Sequence, residues 1–209
     1  MTSEDKKKLK IELHNLRDKV FMPPECEIAL WEKQIDGQFI EKKGRKMSYL
    51  DYINAPPHHV GTASGRLVNL IDPKLDTIYT GDIITGMCHI NRYAGQTETP
   101  YTLAAHTLFL YTITGEPWAL LHDAHEVYIG DVASPARGLT KGLKRVYNKL
   151  DQLISLKYGV PIVDLSKLDK LCVLYELAVT RGELQREYTD VDEIKEALAA
   201  AFRLEFGDI

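Results

Sequence analysis

The chain carries the stretch Trp118-Ala-Leu-Leu-His-Asp-Ala-His-Glu126, in which apolar residues run directly into side chains that bind metals. His122 and Asp123 are neighbours, and the carboxylate of Glu126 follows about one helical turn later. A helix that only packs against other helices has no need of an imidazole and a carboxylate in its apolar part. The stretch therefore indicates a helix that holds a divalent cation.

Two more polar residues, His106 and Asp169, lie in predicted helices before and after this stretch. Taken alone, His106 also fits a buried, hydrogen-bonded histidine, and Asp169 fits an exposed acid on an amphipathic helix. Together with His122 and Asp123 they form a set of two imidazoles and two carboxylates. This set suits one divalent transition metal, Co²⁺, Mn²⁺, Zn²⁺, Fe²⁺ or Ni²⁺, with a coordination position left open for water.

The composition predicts one globular domain with a substantial core. The chain has 209 residues, of which 44% are hydrophobic and 27% charged, and its formal net charge is −4. This charge gives no basic surface for nucleic acid, and no apolar run approaches the roughly 20 residues that span a bilayer. The three cysteines never form a C-x-x-C pair, and the N-terminal sequence lacks the apolar core of a signal peptide. We therefore expect a cytoplasmic protein that neither binds nucleic acid stably nor enters a membrane.

The spacing of apolar residues predicts an all-α fold with a short β-ribbon near residues 64–80. Arg66–Ile71 and Thr77–Tyr79 have strand character and are expected to pair. Short turns rich in glycine and proline separate the predicted helices, which is typical of a helical bundle. The predicted helices run from Thr80 or Asp82 to about Asn91, from the cap Thr99-Pro100 to about Gly115, from Glu116-Pro117 to about Gly130, from Leu143 to Tyr158, from Asp164 or Ser166 to about Val179, and from Asp190 to Phe206.

Residues 1–60 are predicted to form an N-terminal helical extension to a domain at residues 61–209. Ser3 can cap a first helix, which Pro23-Pro24 ends, and a second helix follows from about Glu25 to Gln34.

The chain resembles the HD-domain phosphohydrolases, whose pattern is His…His-Asp…Asp, over about residues 61–180. Within that superfamily it is similar to the branch of bacterial 5′-deoxynucleotidases and their phage-encoded relatives, which include a phage dATP triphosphohydrolase. The resemblance implies an HD-domain helical bundle. The matching segments are Asp82-Ile-Ile-Thr85, Asn91-Arg-Tyr-Ala-Gly95, Tyr101-Thr-Leu-Ala-Ala-His106, Leu120-Leu-His-Asp-Ala-His-Glu126, Tyr128-Ile-Gly-Asp-Val-Ala-Ser-Pro135, Lys157-Tyr-Gly159 and Leu168-Asp169.

The resemblance implies a metal site and a catalytic carboxylate. His106, His122, Asp123 and Asp169 would bind the metal, and Asp123 would thereby take part in catalysis. Glu126 would be the catalytic carboxylate beside a metal-bound water. Mg²⁺ would be a further ion, brought with the substrate phosphates.

The resemblance also implies five residues that contact the substrate. Arg92 would hold the phosphate with its guanidinium fork, or else be a surface cation. Tyr93 would stack on the base or sugar, or else be a half-buried core tyrosine. Asp131 would bind the sugar hydroxyls, or else cap a turn. Arg137 and Lys141 would supply further phosphate contacts, and Arg137 is a departure because the family commonly has lysine near this position.

The implied function is a metal-dependent phosphohydrolase that removes phosphate from a deoxynucleoside monophosphate by attack of a metal-bound water. A triphosphohydrolase of dNTPs, in particular of dATP, and a catalytically silent nucleotide-binding module are the alternatives. The expected partner is a small deoxynucleotide, and relatives imply a homo-oligomer, in a host cytoplasm if the gene is carried by a phage. A two-iron oxygenase would need extra histidines, for which His89 and His125 are the candidates. His125 stands where the family has a small or apolar residue, and it is expected to be a proton relay or a partner of Asp123.

Overall fold

The computed structural model describes residues 55–140, 142–181 and 190–207, which all lie in one unit, Ala55–Ile209. The predicted N-terminal helices fall outside the described residues, as does Lys141. The division of the chain at residue 60 therefore stays a prediction. Within the described ranges, no helix combines the length and the apolar character needed to cross a membrane.

The described residues are mainly helical, which confirms the predicted all-α fold with a short β-ribbon. The ribbon consists of two antiparallel strands, β1 (His59–Gly61) and β2 (Leu67–Asn69), with Val60 opposite Val68. The α-helices of the described ranges are α1 (Thr80–His89), α2 (Leu103–Thr114), α3 (Glu126–Ile129), α4 (Ser134–Arg137), α5 (Leu143–Tyr158), α6 (Ser166–Thr180) and α7 (Val191–Phe206). Short 3-10 helices span Leu75–Thr77, Tyr93–Gly95 and Pro117–Leu120.

The ribbon pairs different segments from those that the sequence predicted. β2 pairs with β1, and the expected partner begins inside a 3-10 helix at Leu75–Thr77. The hydroxyl of Thr77 donates to the Lys74 carbonyl at 2.6 Å, a local bond that competes with strand pairing. The ribbon is tied to α1 through Asp82, whose carboxylate accepts hydrogen bonds from the Ser64 backbone N–H at 2.6 Å and the Ser64 hydroxyl at 2.7 Å.

The ends of the long helices follow their capping residues. α5 ends at Gly159, which has a left-handed φ of 66°. α7 begins after Asp190, whose side chain accepts hydrogen bonds from two backbone N–H groups of the first turn. The predicted cap Thr99-Pro100 is wrong, because α2 is capped by the side chain of Thr102. An isolated bridge between Asn91 and Thr102 holds the chain extended up to that residue.

α2 is the central helix of the fold. It packs against α1, α6, α7 and the 3-10 helix at Pro117–Leu120. Its buried residues cover more than half of the helix circumference, as expected for a helix that several elements contact, and they include His106. An imidazole in such a position needs polar partners from the neighbouring elements.

The contact between α1 and α3 leaves no room for a side chain at Gly86. A methyl group there would overlap the side chain of Val127. Overpacking costs about 1–3 kcal/mol, more than the roughly 1 kcal/mol that alanine gains over glycine inside a helix. We expect Gly86→Ala to lower the Tm measured by circular dichroism, and Val127→Ala to restore it when added to Gly86→Ala.

Gly138→Ala is the matched control for this prediction. The nearest atom to a methyl group at Gly138 is the Pro135 carbonyl oxygen at 3.8 Å, which is an ordinary contact. A Gly86→Ala variant that melts at or above the temperature of Gly138→Ala would contradict the close packing of α1 on α3.

Candidate metal centre

Three of the four predicted ligands, His106 on α2 and His122 and Asp123 in the turn before α3, each offer an atom within 4.8 Å of the others. Asp169 on α6 does not belong to that group, but it contacts His106. The Nε2 atom of His106 lies 3.1 Å from the Nε2 atom of His122 and 3.3 Å from the Oδ1 atom of Asp169. The Oδ2 atom of Asp123 lies 3.1 Å from the Nε2 atom of His122 and 3.5 Å from that of His106. Atoms that bind one transition metal at about 2.0–2.2 Å have separations of this size.

The backbone between Pro117 and Glu126 explains how two neighbouring residues reach the same point. We predicted a continuous helix from Glu116 to Gly130, but the chain forms a 3-10 helix, a turn that holds His122 and Asp123, and then the short α3. The hydrogen bonds through this turn run from residue i+3 to residue i, as from the Glu126 N–H to the Asp123 carbonyl at 2.9 Å. Neighbours on a regular α-helix would point about 100° apart, and the turn removes that constraint.

Each histidine is oriented by its second ring nitrogen. The Nδ1 atom of His122 lies 2.8 Å from the Ala119 carbonyl oxygen, which only accepts, so that nitrogen carries the proton. The Nδ1 atom of His106 bonds to the carboxylate of Glu176. In the neutral rings both Nε2 lone pairs therefore face the same point, as they do in histidines that bind metals.

The atoms that face this point fit a cation. Two imidazole lone pairs and two carboxylates would repel one another unless positive charge lay between them. The Oδ1 atom of Asp169 is buried and makes no hydrogen bond within the described part of the chain. A divalent metal would supply the missing partner for these atoms.

The pKa shifts of His106 and Asp123 also indicate that positive charge is favourable at this point. Burial opposes protonation of His106, yet its contacts with Asp123 and Glu176 raise its pKa to about 9. Burial alone would raise the pKa of Asp123, but His122 and His106 hold that pKa well below its usual range. A bound metal would replace the proton that His106 otherwise takes up.

Glu176 is the site residue that the sequence analysis missed. It is fully buried on α6, where its carboxylate contacts His106 and accepts hydrogen bonds from the Tyr93 hydroxyl at 2.5 Å and the Arg92 Nε–H at 3.2 Å. Burial opposes its charge, but His106 and Arg92 lower its pKa. Its sequence signal is the spacing of seven residues from Asp169, which places both carboxylates on one face of α6.

Arg92 is a buried part of the same cluster, which excludes the alternative of a surface cation. The residue is only 9% exposed. Its terminal nitrogens lie 3.4 Å from the Oδ2 atom of Asp123 and 3.9 Å from the Oδ1 atom of Asp169. The pKa of Arg92 is raised because Glu176 and Asp123 outweigh the effect of burial.

Tyr93 lies beside this cluster on a strained piece of backbone. The backbone φ angle is 58° at Tyr93 and 53° at Ala94, and residues other than glycine rarely adopt such left-handed values. Burial and the hydrogen bond to Glu176 raise the pKa of its hydroxyl. The structure thus places Tyr93 against Glu176, and stacking on a base stays a prediction.

Glu126 lies beside the four ligands and has two unlike oxygens. Its Oε1 atom accepts a hydrogen bond from the Arg137 guanidinium at 2.5 Å. Its Oε2 atom is buried and has no hydrogen-bond partner among the described residues. Burial and then the carboxylates of Asp123 and Asp131 raise the pKa of Glu126 to about 9, although Arg137 acts against them. Asp131 lies 3.7 Å from the same guanidinium, so Arg137 bridges two predicted site residues.

We expect a transition metal to stabilise the fold. Adding Mn²⁺, Co²⁺ or Zn²⁺ to protein freed of metal should raise the Tm in differential scanning fluorimetry, because a ligand at 100 times its Kd adds about 2.7 kcal/mol of stability. Asp169→Asn should remove most of this shift, since a carboxylate ligand is lost. Asp72→Asn, on an exposed residue paired with Lys74, is the matched control and should keep the shift. A full shift in Asp169→Asn would contradict the assignment.

We expect Glu176→Gln to weaken metal binding without removing a ligand. The change keeps the size of the side chain but takes away the charge that holds His106 and Arg92, and such changes typically cost about 10–100-fold in metal affinity. Competition with a fluorescent chelator would measure the affinity. Tyr93→Phe removes one hydrogen bond to Glu176 and should have a smaller effect in the same direction. Equal affinities in wild type and Glu176→Gln would show that Glu176 does not orient the site.

Comparisons with known proteins give relatives but no family model. No model of a protein family matches the chain. A protein of Rhodobacter capsulatus, named as uncharacterized, is 34% identical over 113 residues, which is 48% of this chain and 58% of that protein. The uncharacterized protein YfdR of Escherichia coli (strain K12) is 34% identical over 128 residues, which is 60% of this chain and 71% of YfdR. This chain therefore belongs to the same protein family as YfdR.

Proposed function

We propose that the protein is a metal-dependent phosphohydrolase that removes phosphate from deoxynucleoside monophosphates. The observation that carries the proposal is the close grouping of His106, His122 and Asp123, with Asp169 and Arg92 in contact with members of that group. A metal held by a mixed set of imidazoles and carboxylates, with a cation next to it, suits attack of water on an anionic substrate. The resemblance to HD-domain deoxynucleotidases supports the choice of substrate.

The four ligands would hold one divalent transition metal. When bound, that metal activates water and polarises a phosphoryl oxygen. The chain itself fixes the ligands in advance, because the Ala119 carbonyl orients His122 and Glu176 orients His106. Such preorganisation reduces the rearrangement that binding and reaction require.

Arg92 would bind the substrate phosphate. Its Nε–H is held by Glu176, which leaves both terminal nitrogens directed at Asp123 and Asp169. A cation at the four ligands would neutralise these two carboxylates and release the terminal nitrogens for phosphate oxygens. A guanidinium binds two such oxygens at once and stabilises the charge that phosphoryl transfer places on them.

Glu126 would move the proton. Arg137 fixes one of its oxygens, and the other is buried beside Asp123 without a hydrogen bond in the described ranges. A carboxylate held in this way can take a proton from the attacking water or give one to the leaving nucleoside oxygen.

A dNTP triphosphohydrolase, with dATP as a candidate substrate, is the second proposal. The guanidinium of Arg137 favours it, because its side chain is 40% exposed and contacts Glu126, which lies beside Asp123. Such a second cation could hold a further phosphate of a longer substrate.

The test is product release from dNMPs, dNTPs, NMPs and NTPs with Mn²⁺ or Co²⁺, resolved by chromatography. We expect nucleoside and orthophosphate from dNMPs. Arg92→Lys should lower kcat/KM about 10²–10³-fold, because a point charge replaces a preorganised fork. Glu126→Gln should lower kcat about 10²–10⁴-fold through loss of proton transfer.

Asp72→Asn is the matched control and should keep full activity, since Asp72 is an exposed residue paired with Lys74. Nucleoside and triphosphate from dNTPs, with dNMPs left intact, would select the second proposal. No product from any substrate with either metal would overturn both and leave a nucleotide-binding module.

A further inference from the structure

Asp123 also belongs to a second group of side chains that could hold a cation. One ligand atom from each of Asp123, His125 and Glu126 lies within 4.8 Å of the others. His125 is only 6% exposed and Glu126 is fully buried. The proposed reaction gives His125 no role, although the sequence predicts that this residue pairs with Asp123 or relays protons.

The partner of His125 is Asp151 on α5. The Nδ1 atom of His125 lies 2.8 Å from the Oδ1 atom of Asp151, so this nitrogen donates and the Nε2 atom carries the lone pair. The Tyr147 ring packs against the imidazole, with ring centroids 4.4 Å apart. A histidine that binds a metal through one ring nitrogen usually donates the N–H of its other ring nitrogen to a carboxylate or a carbonyl, as His125 does here.

Two buried atoms in this group have no partner that the described residues supply. They are the Nε2 atom of His125 and the Oε2 atom of Glu126. Buried polar atoms normally have a hydrogen-bond partner or bind a metal or water. Two such atoms beside one carboxylate point to a ligand between them.

The donor atoms of the group favour a cation as that ligand. The Nε2 atom of His125 offers a lone pair, and Asp123 and Glu126 offer carboxylate oxygens, which are the donors that bind divalent cations. The nearby guanidinium groups contact only carboxylates, Arg92 that of Asp123 and Arg137 those of Glu126 and Asp131, and neither contacts the Nε2 atom of His125 among the described residues.

We infer that Asp123, His125 and Glu126 bind a second divalent cation, with Asp123 shared between the two ions. One imidazole and two carboxylates suit Mn²⁺, Fe²⁺, Co²⁺ or Zn²⁺. In two-metal sites the ions lie about 3.5–4 Å apart, a distance that one carboxylate can bridge. If the proposed hydrolysis holds, the second ion would stabilise negative charge on the leaving group.

The test is the number of Mn²⁺ ions bound per chain, measured by isothermal titration calorimetry on protein freed of metal. Wild type should bind two ions and His125→Ala should bind one. Electron paramagnetic resonance should show coupled Mn²⁺ ions in wild type and an isolated Mn²⁺ in His125→Ala. Asp151→Asn keeps the imidazole of His125 and should lower the affinity for the second ion alone, by about 10–100-fold. This variant provides the test if His125→Ala does not fold.

His89→Ala is the matched control. His89 is exposed at the end of α1 and belongs to neither group of potential ligands, so this variant should bind two ions. A single ion in wild type, or two in His125→Ala, would overturn the inference. Two ions without any phosphate release would support it while overturning the proposed hydrolysis, and the two ideas are therefore separable.

Discussion

The buried carboxylate of Glu176 contacts His106 on one side and Arg92 on the other, inside a core that is otherwise mainly apolar. An ionised group is costly to bury unless it is paired, and removing one partner of a buried pair is strongly destabilising. α6 can therefore dock on α2 only with the face of Glu176 turned inward. Asp169 lies on that same face, and the docking therefore places its Oδ1 atom beside the Nε2 atom of His106. One buried contact thus sets the position of a ligand, the orientation of a histidine and the place of the arginine.

The balance of charge then links the structure to the proposed chemistry. Asp123, Asp169 and Glu176 all contact the buried guanidinium of Arg92, and the contacts of His106 with Asp123 and Glu176 raise its pKa to about 9. A divalent metal would satisfy the same carboxylates, displace the proton of His106 and release the outer nitrogens of Arg92. Because the carboxylates of this cluster outnumber the guanidinium groups that contact them, the cluster could bind first a metal and then, through Arg92, a phosphate.

The sequence predicted the features that depend on local physical chemistry. The end of α5 at Gly159 and the start of α7 after Asp190 were predictable because capping needs particular residue types. The candidate ligands stood out as polar residues at apolar positions. Glu176 did not, because one acid on an amphipathic helix looks the same whether its face is buried or exposed. The turn at His122 was missed because apolar spacing cannot separate a continuous helix from short helical pieces.

Anomalous diffraction from crystals grown with Mn²⁺ would show directly whether a metal lies at the candidate centre. We expect a peak bonded to both Nε2 atoms of His106 and His122 and to carboxylate oxygens of Asp123 and Asp169, with Glu176 still bonded to the other nitrogen of His106. The absence of a peak at this point under saturating Mn²⁺, whether or not a peak lies beside His125, would show that protons and Arg92 alone balance the buried carboxylates, and it would contradict the proposed metal centre.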